Sequence, residues 1–269
     1  MRGRGPPGKR PGVLPSSSLG LLPPALDALP AGVIVAASFL GSAVTAAFSI
    51  GGGLLLIAVM TTLMPPLAVV PVHGAVMVGS NAGRAGLLLP GVDWRTLGWF
   101  AIGAVMGGAL GSQVVLTLPG AALRLLIAGF ILFTQWGPKV SLPLGRKSFV
   151  LAGLLSTVLT LFVGASGPFM SALLAKVPSY DRVALIATSG ACMTLQHALK
   201  VAIFAAAGFA YAPWLPFICL CLGAGFAGTV LGTRALKRLD ERAFRRWLRW
   251  LLTALAAYLL VAGVLALLG

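Results

Sequence analysis

Long apolar runs alternate with short polar punctuation along most of this chain. Eight runs stand out, at about 31–63, 66–89, 96–116, 121–136, 148–174, 183–208, 213–233 and 247–268. Helix breakers separate them: Pro65 and Pro66, Pro90 and Gly91, Pro119 and Gly120, Gly137 and Pro138, Pro178, and Pro213. Runs near the ~20 residues of a bilayer-spanning helix predict an all-α polytopic membrane protein with about eight transmembrane helices. The first and fifth runs are long for one crossing and hold glycines near their middle, in "SIGGG" at 49–53 and "GASGP" at 164–168. Three glycines in a row remove side chains from every face, and each lowers helix preference by up to about 1 kcal/mol. Those two runs are expected to be broken or re-entrant.

The two glycine motifs also set a register. "FSIGGG" at 48–53 lies 115 residues before "VGASGP" at 163–168, and the same offset pairs Trp99 with Trp214 and Asn81 with Gln196. Further on the offset grows to 121, pairing Gly107 and Gly111 with Gly228 and Gly232, and Arg124 with Arg245. The pattern predicts two similar four-span halves, 31–136 and 148–268, joined by a linker at 137–147. Residues 1–30 are rich in proline and glycine and read as a flexible basic leader, too broken for a signal-peptide core. Were each broken run to cross twice, the halves would have five spans and opposite orientations; the sequence leaves both counts open.

Composition agrees with the membrane reading. The chain is 58% hydrophobic and 9% charged, with a mean hydropathy of +0.99, against roughly 25% charged residues in soluble domains. Its net charge of +15 does not point to nucleic acid, because the basic residues gather at the N-terminus and in short connections where bilayer electrostatics accounts for them. The densest cluster, Arg234, Lys237, Arg238, Arg242, Arg245, Arg246 and Arg249, marks a cytoplasmic segment, with Trp247 and Trp250 fitting an interfacial helix. Eight crossings then put both termini outside, while Arg2, Arg4, Lys9 and Arg10 of the leader favour the inside. The side of the N-terminus stays open. The three cysteines sit in apolar runs and make neither a disulfide framework nor a metal set.

The remaining chemistry lies in polar residues inside the spans. Two half-helices starting at the breaks would aim positive dipole ends and free N–H groups at a shared site, which favours an anion. Simple packing and kinking is the competing reading of the glycines, and Gly107/Gly111 and Gly228/Gly232 fit close helix packing. The second run contributes His73, Ser80, Asn81 and Arg84; the sixth contributes Thr188, Ser189, Thr194, Gln196, His197 and Lys200. Intramembrane ionisable residues are costly and face a bundle interior or a cavity. Arg84 lies ~9 Å from the breaker that follows it and Lys200 ~12 Å, so each either lines the pathway or snorkels toward the interface. The two histidines are too few for a metal; hydrogen-bonded structural roles and proton handling or substrate contact both stand. The five acidic residues, Asp27, Asp93, Asp181, Asp240 and Glu241, all fall outside the apolar runs, so a carboxylate proton relay is disfavoured. An anion leaving the cell needs no such relay, since about 100 mV supplies about 2.3 kcal/mol per charge.

These motifs resemble the sulfite exporter TauE/SafE family, also called the four-toluene-sulfonate uptake permease family. Its members have two similar halves, each opening on a "GxGGG" region. Here Ser49 replaces the first glycine of "SIGGG", Ala58 stands where a proline is common, and "GASGP" keeps Gly164 and Gly167. "ALIATSG" at 184–190 keeps the family's "A-x-x-T-S" feature, whereas the first half has His73 and Gly74 there, and "GVDWRTLGWFAIGAVMGGALGS" is also similar to the family. The resemblance covers roughly residues 32–268. It implies a multi-pass transporter of the bacterial inner membrane, not an enzyme, that exports or takes up sulfite, an organosulfonate or a related organic anion. No cofactor or metal is expected; the partners are the small anionic solute and membrane lipids, and the coupling ion and self-association are left open. The expected pathway runs along Ser49, Gly51, Gly52 and Gly53, then His73, Ser80, Asn81 and Arg84. In the second half it runs along Gly164, Ser166, Gly167 and Pro168, then Thr188, Ser189, Gln196, His197 and Lys200. A transporter of another solute and a noncatalytic membrane assembly protein are the alternatives. An enzyme acting on a lipid-linked substrate would lack carboxylates.

Overall fold

A computed structural model describes residues 22–23, 25–48, 51–113, 119–138, 143–164, 166–235 and 241–268. All regular structure among them is helical. In the first stretch α1 spans Ala28–Phe48, α2 Gly52–Leu63 and α3 Pro66–Leu87; a 3-10 turn at Leu89–Gly91 leads into α4, Trp94–Ser112, and α5, Gly120–Trp136. The same order follows from residue 146: α6 Arg146–Val163, α7 Gly167–Leu174, α8 Arg182–Ala206, a 3-10 turn at Ala212–Trp214, α9 Leu215–Ala235 and α10 Glu241–Leu268. Sequence chemistry sets these starts. Asp93 caps α4 through the amides of Arg95 (3.0 Å) and Thr96 (3.2 Å), Asp181 caps α8 through that of Ala184 (2.8 Å), and α3 opens on Pro66, whose missing N–H costs nothing at a helix start.

Polarity is arranged inside out relative to a protein dissolved in water. His73, Asn81, Gln196 and Lys200 are buried, while Val105, Leu110, Phe226, Leu231, Val261 and Leu265 are exposed on the outer faces of α4, α9 and α10. Lipid is the solvent that suits such a surface. Four segments, Ala28–Ala46, Arg146–Val163, Ala212–Gly232 and Arg246–Leu268, have the length and apolarity to cross a bilayer. The chain is a multi-pass membrane protein.

Each of the two long runs resolves into a long helix followed by a short one, with the glycine motif between them. Two boundaries differ from the pattern reading. Helix α1 begins at Ala28, inside the stretch assigned to the leader, and α10 begins at Glu241, so basic residues Arg242, Arg246 and Arg249 ride on its first turns. Arg249 stacks over the Trp136 ring at 5.3 Å. The main helix pairings are α1 with α9, α4 with α6, α3 with α8 and α5 with α10. Glycines permit the closest of them: a Cβ on Gly107 would strike the Leu154 backbone, and one on Gly228 the Phe39 backbone. Trp99 lies within α4 whereas Trp214 precedes α9, so those two tryptophans do not occupy like positions.

Candidate functional site

Both interruptions turn on a glycine in the left-handed region. Gly51, at φ 95°, starts α2, and Gly164, at φ 80°, ends α6; a side chain is strained in that conformation. The first α2 amide bonded within the turn is that of Leu55, to Gly51 O at 3.0 Å. The amides of Gly52, Gly53 and Leu54 therefore have no partner inside their own helix. In the second interruption, the amides of Phe169 and Met170 both point at Ser166 O, 3.1 and 3.4 Å away.

The starts of α2 and α7 open onto one cavity of about 70 Å³. Gly51 and Gly53 line it from the first interruption, and Ser166 and Gly167 from the second; α3 adds His73, Asn81 and Arg84, and α8 adds Ser189, Met193 and His197. Thr45 and Ser171 complete the polar wall. The Arg84 guanidinium donates to Asn81 Oδ1, while Asn81 Nδ2 donates to Met77 O at 2.7 Å. Arg84 Nε is buried without a partner among the described residues. His73 Nε2 lies 3.1 Å from Gly53 O. Behind this wall, Gln196 bridges the second interruption: its amide donates to Ser166 Oγ, and its Oε1 accepts from Ser156 Oγ at 3.0 Å. The fully buried Lys200 donates to Gly164 O at 3.3 Å. A cation there meets the carbonyl end of α6, where the helix dipole favours it.

The sequence-selected residues thus divide. Gly51, Gly53, His73, Asn81, Arg84, Ser166, Gly167, Ser189 and His197 share the cavity, while Gly52, Gly164, Gln196 and Lys200 shape it from behind. Ser80 lies instead on a separate, mostly apolar cavity of about 210 Å³ between α3 and α9, which Arg84 also borders. Thr188 turns away, accepting from the Asp93 amide at 3.0 Å. Ser49 and the side chain of Pro168 lie outside the described residues. Sequence reasoning passed over Thr45, Ser171 and Met193. Ser171 was within reach, since it stands four residues after Gly167 on the same helix face; Thr45 shares α1 with Ser38 and Ser42, and nothing in the sequence set it apart from them.

A second polar cluster sits at the ends of the spans. Tyr180 donates its hydroxyl to Asp93 Oδ2 at 2.7 Å, and Thr96 Oγ1 donates to the same oxygen at 2.8 Å. Partial burial of Asp93 opposes its ionisation, but the hydroxyls of Tyr180 and Thr96 and the amides of Thr96 and Arg95 outweigh it and hold the carboxyl below its usual range. Tyr180 is pushed up to about 12, first by burial and then by the neighbouring carboxylate. Among the described residues no three His, Cys, Asp or Glu side chains form a metal cluster.

Residues 34–259 match the family described as Sulfite exporter TauE/SafE. The chain belongs to that family. Its function is membrane transport of a small anion such as sulfite, and TauE/SafE members are transporters rather than enzymes. No curated protein and no solved structure matches the chain.

Proposed function

We propose that this TauE/SafE protein is an exporter of the bacterial inner membrane and that the cavity between the two interruptions is its anion site. One observation carries the reading: two helix starts open onto the same cavity, beside Arg84 and with no carboxylate on its wall among the described residues. Each helix start contributes about half a positive charge and unpaired N–H donors, and a guanidinium fork suits an oxyanion. Room of about 70 Å³ holds several waters at ~10–15 Å³ apiece, or one small oxyanion in their place. Sulfite efflux from sealed vesicles, assisted by inside-negative voltage, tests it; folded protein that moves none of a broad anion panel would end the reading.

We further read the chain as two structurally similar halves of opposite orientation. Gly52 sits against Gly41 O and Thr45 Oγ1, so α2 begins beside α1 and packs back against it. A doubled-back pair counts as two crossings or none, and with α3, α4 and α5 it makes an odd number. The Tyr180–Asp93 hydrogen bond supports the same for the second half. It joins the connection before α4 to the one before α8, which single crossings by α4, α5 and the α6–α7 pair would place on opposite faces. Charge agrees with this arrangement. Arg95, Lys139, Arg146, Lys147, Lys176, Arg182 and the 234–249 cluster then fall at one face, the cytoplasmic one, whereas connections 64–65, 114–119 and 207–214 carry no Lys or Arg. Arg124, one turn into α5, is the nearest basic residue on the outer side, and the leader's four basic residues fall outside the pattern. Inversion places the anion site at the contact of the two halves, where rocking of one against the other exposes it to each side in turn.

A further inference from the structure

The chain has two histidines, and both stand on the anion cavity. His73 and His197 meet edge to face, with ring centroids 5.9 Å apart at 73°. The partner of His73 Nε2 is the Gly53 carbonyl, which can only accept, so the neutral ring carries its proton on Nε2 and leaves Nδ1 as a bare lone pair. That Nδ1 is buried without a partner among the described residues. It faces the other interruption, since a Cβ on Gly164 would stand 3.6 Å from it. His73 therefore reaches from one break to the other, bonded at the first and empty-handed at the second. His197 Nδ1 is likewise buried and unpartnered.

A bare nitrogen lone pair repels an anion, while an N–H binds one. Among the described residues, the charged groups facing the pair are Arg84 from α3 and Lys200 from α8; α1, α2, α7 and the inner half of α6 bring no titratable side chain. A proton on either ring would add positive charge beside these basic groups, which an anion in the cavity offsets. We propose that the histidine pair takes up one proton with each anion and releases both together. The proposal rests on the cavity being the anion site. With bisulfite the anion's own O–H bond breaks as the Nδ1–H bond forms, giving sulfite beside an imidazolium; with sulfite already deprotonated, the proton comes from solvent. One proton and one dianion then move as a unit of net charge minus one.

The test is sulfite binding to the full chain in lipid nanodiscs, followed by calorimetry from neutral to alkaline pH, with methanesulfonate as a second probe whose charge does not change there. Wild-type affinity for sulfite is expected to fall about tenfold per pH unit, the signature of one linked proton. The His73→Gln, His197→Gln double variant is expected to lose that slope. A pH-independent wild type, or a double variant that keeps the wild-type slope, overturns the proposal. If the double variant does not fold, methanesulfonate binding to the wild type and to Lys200→Met decides: proton uptake that persists in Lys200→Met supports the histidines, and binding without uptake, or uptake lost in Lys200→Met, overturns them. Absence of sulfite binding and flux altogether would strike the anion-site reading instead.

Discussion

Replacing Gly52 by alanine adds one methyl group at the tightest point of the α1–α2 reversal. An ideal Cβ there would overlap Gly41 O and Thr45 Oγ1. The carbonyl belongs to an unbroken helix, and the threonine hydroxyl is tied to that same carbonyl at 2.9 Å. Neither can swing aside, so α2 has to move off α1. Overpacking of this kind costs about 1–3 kcal/mol, and 2 kcal/mol corresponds to about a thirtyfold shift in the folding equilibrium. Because Gly51 and Gly53 line the cavity, the displacement also draws one set of amides away from the anion. Gly53→Ala is the internal control: its Cβ would meet only Met77 Sδ, at 3.4 Å, and alanine is favoured over glycine in a helix by up to ~1 kcal/mol. Thermal unfolding in detergent and sulfite efflux per folded molecule from vesicles measure both effects. The expected result is a lower Tm and a larger loss of flux for Gly52→Ala, with the Tm of Gly53→Ala at or above wild type. An unchanged Tm and flux for Gly52→Ala would refute the close-reversal argument.

Three further outcomes are expected. Lys200→Met strips Gly164 O of its donor, which costs about 1–3 kcal/mol for a buried carbonyl, and it is expected to reduce sulfite flux beyond the loss of folded protein. Tyr180→Phe removes a donor from Asp93; the depressed Asp93 carboxyl contributes stability above the unfolded value near ~4, lost as pH falls through the lower folded value. The Tm gap between wild type and variant is therefore expected to narrow in acid, and a constant gap would speak against the assignment; in wild type Tyr180 adds a loss as pH rises from ~10 toward about 12. On a Cys219→Ser background, Ala210→Cys is expected to react with an impermeant maleimide on intact cells, and Ser179→Cys only after permeabilisation; reaction of both from one side would reject the inverted topology.

Much of the site was legible because a membrane span makes polarity conspicuous. A glycine triplet, a second glycine-rich break, a buried lysine and two histidines stand out in runs of leucine and valine. What the runs do not carry is direction. Ser80 and Asn81 are neighbours, about 100° apart on a helix, and only Asn81 reaches the anion cavity; Thr188 and Ser189 divide in the same way. With lipid, cavity and a neighbouring helix all possible surroundings, periodicity could not assign the faces. The reversal was hidden for a similar reason. A three-residue gap serves a kink or a hairpin equally well, and the contact of Gly52 with Gly41 is what separates them. The charge conflict over the N-terminus persists on either count, because an even number of crossings leaves both termini on the side opposite the 234–249 cluster.

On the inverted topology the two faces close by like-placed elements of unlike chemistry. The inner connection before α4 is tied by Asp93, Thr96, Tyr180 and Thr188. Its counterpart before α9 is packed with rings: Phe209 meets Tyr211 at 4.8 Å, and Trp214 stacks on Phe209 at 6.5 Å. Opening the inner face exchanges hydrogen bonds for water, a swap whose net cost is about 0.5–1.5 kcal/mol per bond. Opening the outer face instead wets aromatic surface at about 25 cal/mol per Å², and each ring buries about 150–250 Å². Exposing one fully buried ring would cost about 4–6 kcal/mol, comparable with releasing the hydrogen bonds opposite at about 2–6 kcal/mol in all. Neither face is therefore the cheaper one to open on this ground, and in this structure both sets of contacts are made.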